Sequence, residues 1–323
     1  MTADQPSLFP SQPLVTVGVA SYNNSKYILE TLDSIANQTY KNLEIIINDD
    51  VSTDESVALI KDWITKNPDL NIKLIINSEN QGICKAGNNI LKNANGKYVC
   101  LIGSDDRYLP EFIDKRVKLL ESTKPEIGLC YSLSYFIDME GNRNGVEDRP
   151  TPSGWVFNNL VDGYNSLCKP FTCLIKKDCF DKVGFYDESL MYEDFDWFLR
   201  ATREYEVLFF NSYDTEYRSV PGSLGKKLNS HEGSLSNIAI ISKHLGYSKI
   251  TDLYFRKRLL RLALKAYKNG LPTTRAILKL SINNFYGLKE MVFLIVSFIP
   301  VKWLISVKGL LRKPLFILAK SRP

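Results

Sequence analysis

Four short apolar runs recur along the first hundred residues: LVTVGVA (14–20), LEIII (43–47), IKLII (72–76) and YVCLI (98–102). Each is rich in β-branched residues and too short for a core helix, so each reads as a strand, the first two as buried ones. Between them lie segments of helical period. In KYILETLDSIANQ (26–38) the apolar positions Ile28, Leu29, Leu32, Ile35 and Ala36 fall on one face. Residues 56–65 and 86–94 predict two more helices. Strand and helix alternating at this pace demand βαβ units, and hence an α/β fold on a mixed, mainly parallel sheet.

The rhythm then changes. Residues 129–138, 171–175 and 207–210 read as strands and 192–205 as a helix. The stretch 142–165 is rich in Gly, Pro and Asn and reads as loop. Residues 222–233 hold Gly222, Gly225 and Gly233 with Ser223 and Ser230, the composition of a mobile loop. From about Leu253 everything reads helical. The expected organisation is a flexible leader over 1–13, one domain over 14–245 (a nucleotide-binding half over 14–106 and an acceptor-binding half over 107–245), and a helical extension over 246–323.

Charge divides along the same line. Residues 249–323 carry 16 Lys/Arg and two acids, a local excess of +14, while the rest holds 25 bases against 34 acids, or −9. An acidic body argues against a nucleic-acid-binding core, and a basic tail calls for an anionic partner. LYFRKRLLRLALKAYK (253–268) places Lys257, Arg261, Lys265 and Lys268 on one helical stripe. MVFLIVSFIPV (291–301) is uncharged but far shorter than the ~20 residues a spanning helix needs. A basic amphipathic surface lying on an anionic membrane fits better, with packing on the catalytic domain or dimerisation as the alternatives. The six cysteines include no CxxC pair and the chain has two histidines, which disfavours a structural zinc site. With no signal peptide over residues 1–13, a cytoplasmic protein is expected, peripheral on the inner face of the plasma membrane.

Ligands of open α/β sheets bind beyond the carboxyl ends of the strands. There the sequence puts Ser21-Tyr22-Asn23-Asn24, Asn48-Asp49-Asp50 and Gly103-Ser104-Asp105-Asp106. Acids gathered on one rim repel unless a cation or hydrogen-bonding ligand offsets them. Neither GxGxxG after the first strand nor GxxxxGK[ST] occurs, so phosphate is not held as in dinucleotide or P-loop folds. Hard oxygens at Asp105 and Asp106 suit Mg²⁺ or Mn²⁺, which can bridge to a diphosphate. Locally, each acidic pair also fits a helix cap or turn.

The stretch VTVGVASYNNSKYILETLDSIANQTYKNLEIIINDDVSTDES (15–56) resembles the opening of a family 2 glycosyltransferase of the glycosyltransferase-A fold. The likeness continues through NQGICKAGNN, NGKYVCLIGSDDRYLPEFI and YEDFDWFLR, over roughly residues 14–245. It implies a single Rossmann-like nucleotide-diphospho-sugar transferase domain with a C-terminal helical extension, and an inverting, metal-dependent hexosyl- or N-acetylhexosaminyltransferase. It implies that Asp50 accepts a hydrogen bond from the donor base, that Ala20, Ser21 and Tyr22 line the nucleoside pocket with Asn88 and Ser104 nearby, that Asp105 lies near the ribose and that Asp106 ligates the cation. Asp194, preceded by Glu193, matches the catalytic base. Arg218, Lys226, Lys227 and His231 are candidates to touch diphosphate, and Trp155 and Trp197 to stack on acceptor sugar.

Two positions depart from the family pattern. Gly87 stands where an arginine is frequent, with Lys85 available to supply the charge, and Val51 stands where glycine is usual. The implied reaction moves a sugar from a UDP-sugar donor to a hydroxyl of a glycan or lipid-linked glycan in bacterial surface polysaccharide synthesis. The alternative is a nucleotide-sugar or glycan-binding module that has lost catalysis.

Overall fold

The computed structural model describes residues 12–147, 152–162, 169–192, 194–220, 230–285 and 288–298. The chain divides into two compact units: Met1–Val156 with Asn165–Val220, and Phe157–Tyr164 with Pro221–Pro323.

The first unit is built on β1 (Val15–Ser21), α1 (Ile28–Ala36), β2 (Leu43–Asp49), α2 (Ser56–Lys66), β3 (Ile72–Ile76), α3 (Gly82–Asn93), β4 (Tyr98–Gly103), β5 (Arg107–Tyr108), α4 (Phe112–Glu121), β6 (Ile127–Ile137) and β7 (Arg143–Val146). After α5 (Phe157–Asp162), which clusters with the second unit, it continues through β8 (Cys173–Lys176), α6 (Lys177–Val183), α7 (Asp194–Glu204) and β9 (Glu206–Arg218). The strands form one sheet in the order β3-β2-β1-β4-β8-β6-β9-β5, with β7 paired to β6. From β3 to β4 all pairing is parallel; β8 is antiparallel to both β4 and β6, while β6 and β9 run parallel. The parallel register aligns Ala20 with Asn48 on one side and Gly103 on the other, so three strands end on one rim.

Burial explains why these segments are strands. Val15, Val17 and Val19 are fully buried in β1, and Ile28, Leu32 and Ile35 of α1 pack into the same core. Each such side chain contributes about 1.5–3 kcal/mol on leaving water. Strand β9 is nine residues longer than the predicted 207–210. Its polar half, NSYDTEYR, is held by ion pairs rather than by hydropathy: Arg116 of α4, fully buried, grips Asp214 through two bonds of 2.9 and 2.7 Å.

The second unit is helical: α5, α8 (His231–His244), α9 (Lys249–Lys268), α10 (Thr273–Phe285) and α11 (Leu288–Val296). Phe255, Leu259 and Ala263 of α9 are buried, as are Ile277 and Leu278 of α10. Residues 231–244, expected within the domain over 14–245, form α8 and pack on α9 and α10 in the second unit. Lys257, Arg261, Lys265 and Lys268 are exposed along one side of α9, and Arg261 pairs with Asp162 of α5 at 3.4 Å. Ile250 and Leu253 extend the exposed face toward the start of α9. On α11, Phe293 is buried against Tyr267, whereas Met291 and Ile295 are turned to the opposite, exposed side, and Phe298 just past the helix is exposed too. Among the described residues no helix is long and apolar enough to cross a membrane.

Candidate active site

The rim of β1, β2 and β4 carries the acidic residues expected of it, and the structure assigns each its partners. Asp49 accepts from Ser21 Oγ at 2.9 Å, and from the amide and hydroxyl of Ser52 at 2.8 and 2.7 Å. Asp50 is buried and receives Asn77 Nδ2 at 2.7 Å and the main-chain amides of Gln81 and Gly82, each at 2.8 Å. It thus caps α3 from 31 and 32 residues away, and α3 begins at Gly82 rather than at the predicted Ala86. Ala20 is half-buried, Ser21 is buried, and Tyr22 is 48% exposed at the rim. Ser104 is buried and its hydroxyl accepts from Asn24 Nδ2 at 2.7 Å. Val51 adopts φ +63°, the left-handed conformation glycine favours, so the turn keeps its shape although the residue has changed.

Asp105 and Asp106 follow β4 after Ser104 alone. A Cβ on Gly103 would come within 2.9 Å of Asp105 Oδ1, so the bare glycine makes room for that carboxylate. Burial pushes the Asp106 carboxyl well above the usual carboxylate range, and the Asp105 charge adds to this. Burial raises Asp105 as well. Two crowded acids of this kind are relieved by a cation, and their oxygen donors fit a hard divalent ion. Among the described residues no three His, Cys, Asp or Glu side chains gather into a complete metal cage. That donor set suits an ion held by one or two carboxylates with the balance of its ligands from substrate phosphate.

Arg218, expected at an exposed diphosphate loop, is instead 1% exposed as the last residue of β9. Its amide donates to Asp106 Oδ1 at 2.8 Å and its Nε to Asp105 O at 2.9 Å. Nη1 reaches Asp138 O and Met139 O at 3.1 and 3.2 Å, and Nη2 reaches Glu30 Oε2 at 2.6 Å. The donors of the guanidinium are thus engaged by main-chain carbonyls and by Glu30. Lys226 and Lys227 lie outside the described residues. His231 opens α8 in the second unit, where Ser230 caps the helix by accepting from Gly233 N at 3.1 Å.

Asp194 is the first residue of α7 and half-buried, and burial pushes its carboxyl up to about 6. Such a group is a carboxylate at neutral pH yet basic enough to accept a proton. Glu193 lies outside the described residues. The segment before α7 is fixed from two sides. Asn88 of α3 is buried and its carboxamide bonds both the N–H and the C=O of Tyr186. Arg200 of α7 pairs with buried Asp196 at 2.9 Å and donates to the carbonyls of Val183, Gly184 and Phe185. Gly87, where the family has arginine, faces the Tyr186 ring, which a Cβ would meet at 3.0 Å. Lys85 is half-exposed and makes no ion pair among the described residues.

Trp197 is fully buried and stacked on Phe180 at 4.4 Å, a core residue. Trp155 is exposed beside the Gly154–Val207 bridge, at the start of β9. Arg218 ends the same strand eleven positions on, on the order of 30 Å away at strand rise. Neither tryptophan adjoins the acidic pair. Sequence reasoning does not reach Glu30, whose partners Arg107 and Arg218 are 77 and 188 residues away; Arg200 carries only the i,i+4 spacing to Asp196 as a signal.

The family model for glycosyl transferase family 2 matches residues 16–184, and the chain belongs to that family. It is 30% identical over 239 residues to the UDP-Glc:alpha-D-GlcNAc-diphosphoundecaprenol beta-1,3-glucosyltransferase WfaP of Escherichia coli, spanning 72% of this chain and 89% of that protein. Among solved structures it resembles S. aureus TarS 1–349 in complex with UDP, with TM-score 0.63 and 19% identity over 84% of this chain and 80% of the other. It also resembles the mannosyltransferase PcManGT of Pyrobaculum calidifontis in complex with GDP-Man and Mn²⁺, with TM-score 0.59 and 20% identity over 88% and 79%. The fold is the glycosyltransferase-A fold, and the chain is a glycosyltransferase.

Proposed function

We propose that the chain transfers a sugar, with inversion, from a UDP-sugar to a hydroxyl of a lipid-linked glycan. The observation that carries this reading is the acidic pair Asp105–Asp106 at the carboxyl rim, in the same unit as a half-buried aspartate raised to about 6. WfaP, whose name gives a UDP-sugar donor and a diphosphoundecaprenol-linked acceptor, supports the substrate classes.

In this reading Asp194 takes the proton from the acceptor hydroxyl as the oxygen attacks the anomeric carbon. A single base opposite the leaving group gives in-line displacement. Asp106, with Asp105, holds Mg²⁺ or Mn²⁺; when bound, the ion supplies Lewis-acid stabilisation to the departing nucleoside diphosphate. Ser21, Tyr22 and Asp50 shape the rim for the nucleoside, with Lys85 and Ser104 beside it. The exposed cationic stripe of α9 and the apolar side of α11 lie against an anionic membrane, where a lipid-linked acceptor is held.

The test is a thermal-shift panel of UDP, GDP, dTDP and CDP, each with and without Mn²⁺, on wild type and Asp106→Ala. A rise specific to UDP that needs both Mn²⁺ and Asp106 is expected. A rise that persists in Asp106→Ala would remove Asp106 from the metal site.

A further inference from the structure

The geometry points to Arg218 as a positioning residue that presets the acidic pair for a divalent cation without contacting cation or substrate, and this rests on the metal site proposed above. Arg218 meets both aspartates, yet its guanidinium bonds neither carboxylate. The side chain holds Asp105 by its main-chain carbonyl, and the Arg218 amide holds Asp106 by Oδ1 alone. Among the described residues no side chain donates to Asp106 Oδ2 or to the Asp105 carboxylate, so these oxygens remain available for a cation.

Four separate segments meet at this one residue. The guanidinium ties the start of α1 through Glu30, the turn after β6 through Asp138 and Met139, and the turn after β4 through Asp105. Its plane lies over the Tyr27 ring, 4.4 Å from the centroid. Thr31 Oγ1 adds a second tie from α1, donating to Asp106 O at 2.7 Å. A buried cation at this spot also offsets the repulsion between two buried acids, which favours a preformed site over one assembled by the metal. Lysine cannot replace this role: one ammonium cannot span a carboxylate and three carbonyls in a plane.

The test compares wild type with Arg218→Lys and Glu30→Ala, measuring Mn²⁺ affinity in the presence of UDP by the electron paramagnetic resonance of free Mn²⁺, with melting temperature recorded without metal. For Arg218→Lys a loss of Mn²⁺ affinity of about 10–100-fold is expected, the range typical of partners that orient metal ligands. With Mn²⁺ raised to saturation, kcat should return to within a few-fold of wild type, because no reacting group has changed. Glu30→Ala removes the partner of Nη2 from a half-exposed position and should give a smaller loss in the same direction. It is the deciding variant if Arg218→Lys does not fold. Folded variants that bind Mn²⁺ as wild type does overturn the role of Arg218 and leave the metal site standing. Wild type that binds no Mn²⁺ with UDP overturns the metal site itself.

Discussion

Asn88 and Tyr186 lie 98 residues apart, yet the Asn88 carboxamide closes on the Tyr186 backbone from both sides: Nδ2 donates to Tyr186 O and Oδ1 accepts from Tyr186 N, each at 2.9 Å. Asn88 Nδ2 also donates to Glu188 Oε1 at 2.9 Å. The pair fastens α3 to the segment leading into Asp194. Asn88→Ala strands buried polar groups and should cost about 2–3 kcal/mol by chemical denaturation. UDP affinity should change less than tenfold. A larger loss of affinity with unchanged stability would make Asn88 a donor contact instead.

Asp194→Asn should lower turnover by about 10²–10⁴-fold, the usual contribution of a positioned base. Donor binding should survive, since Asp194 lies outside the nucleotide rim. Burial raises this carboxyl to about 6, so the base is competent above that pH and protonated below it. The acid limb of kcat/KM should therefore bend near pH 6, falling about tenfold per unit beneath it. A flat profile between pH 5 and 7 would exclude Asp194 as the base.

Val51 holds φ +63°, which for a β-branched residue is strained. Val51→Gly should relieve about 1–2 kcal/mol of strain. The added freedom of glycine in the unfolded chain offsets part of that, by about 0.5–1 kcal/mol. A net gain between about 0 and 1.5 kcal/mol is expected from these two terms, read from the denaturation midpoint at constant slope. Loss of stability would mean the Val51 side chain contributes packing that outweighs its backbone strain.

The stripe of Lys257, Arg261, Lys265 and Lys268 should bind vesicles containing phosphatidylglycerol and not phosphatidylcholine alone. Each such charge contributes about 1 kcal/mol near an anionic surface, so neutralising three should weaken binding by on the order of 10²-fold. Added salt should weaken it too. Ile295→Asp should lower binding without changing its salt dependence. If these substitutions instead convert a dimer to a monomer and leave vesicle binding intact, the surface is a contact between copies.

Much of the parallel half of the sheet is legible because β1, β2 and β4 are buried along most of their length and read as continuous apolar runs, while the half-exposed edge strand β3 keeps a short run of isoleucine and leucine. β3 falls on the predicted 72–76, and β2 and β4 begin at the predicted Leu43 and Tyr98. What escaped depends on partners far away in sequence. β9 was read as four residues because Asp214 and Glu216 look like loop; Arg116 buries the first, and Arg107 and Arg143 the second. The acidic pair was legible as residues. Its restraint by Arg218 was not, because that arginine lies beside glycines and serines and carries no periodic signal.

The bond from Arg218 to Asp106 also bears on synthesis. Asp106 leaves the ribosome 112 residues before the amide that restrains it. β5, beside Asp106, pairs only with β9, so this edge of the sheet stays open until the last strand of the unit has emerged. A nascent chain that ends before residue 218 lacks the amide and the guanidinium that fix the acidic pair. The ability to organise a cation would then appear abruptly, late in translation, as a checkpoint on the finished domain.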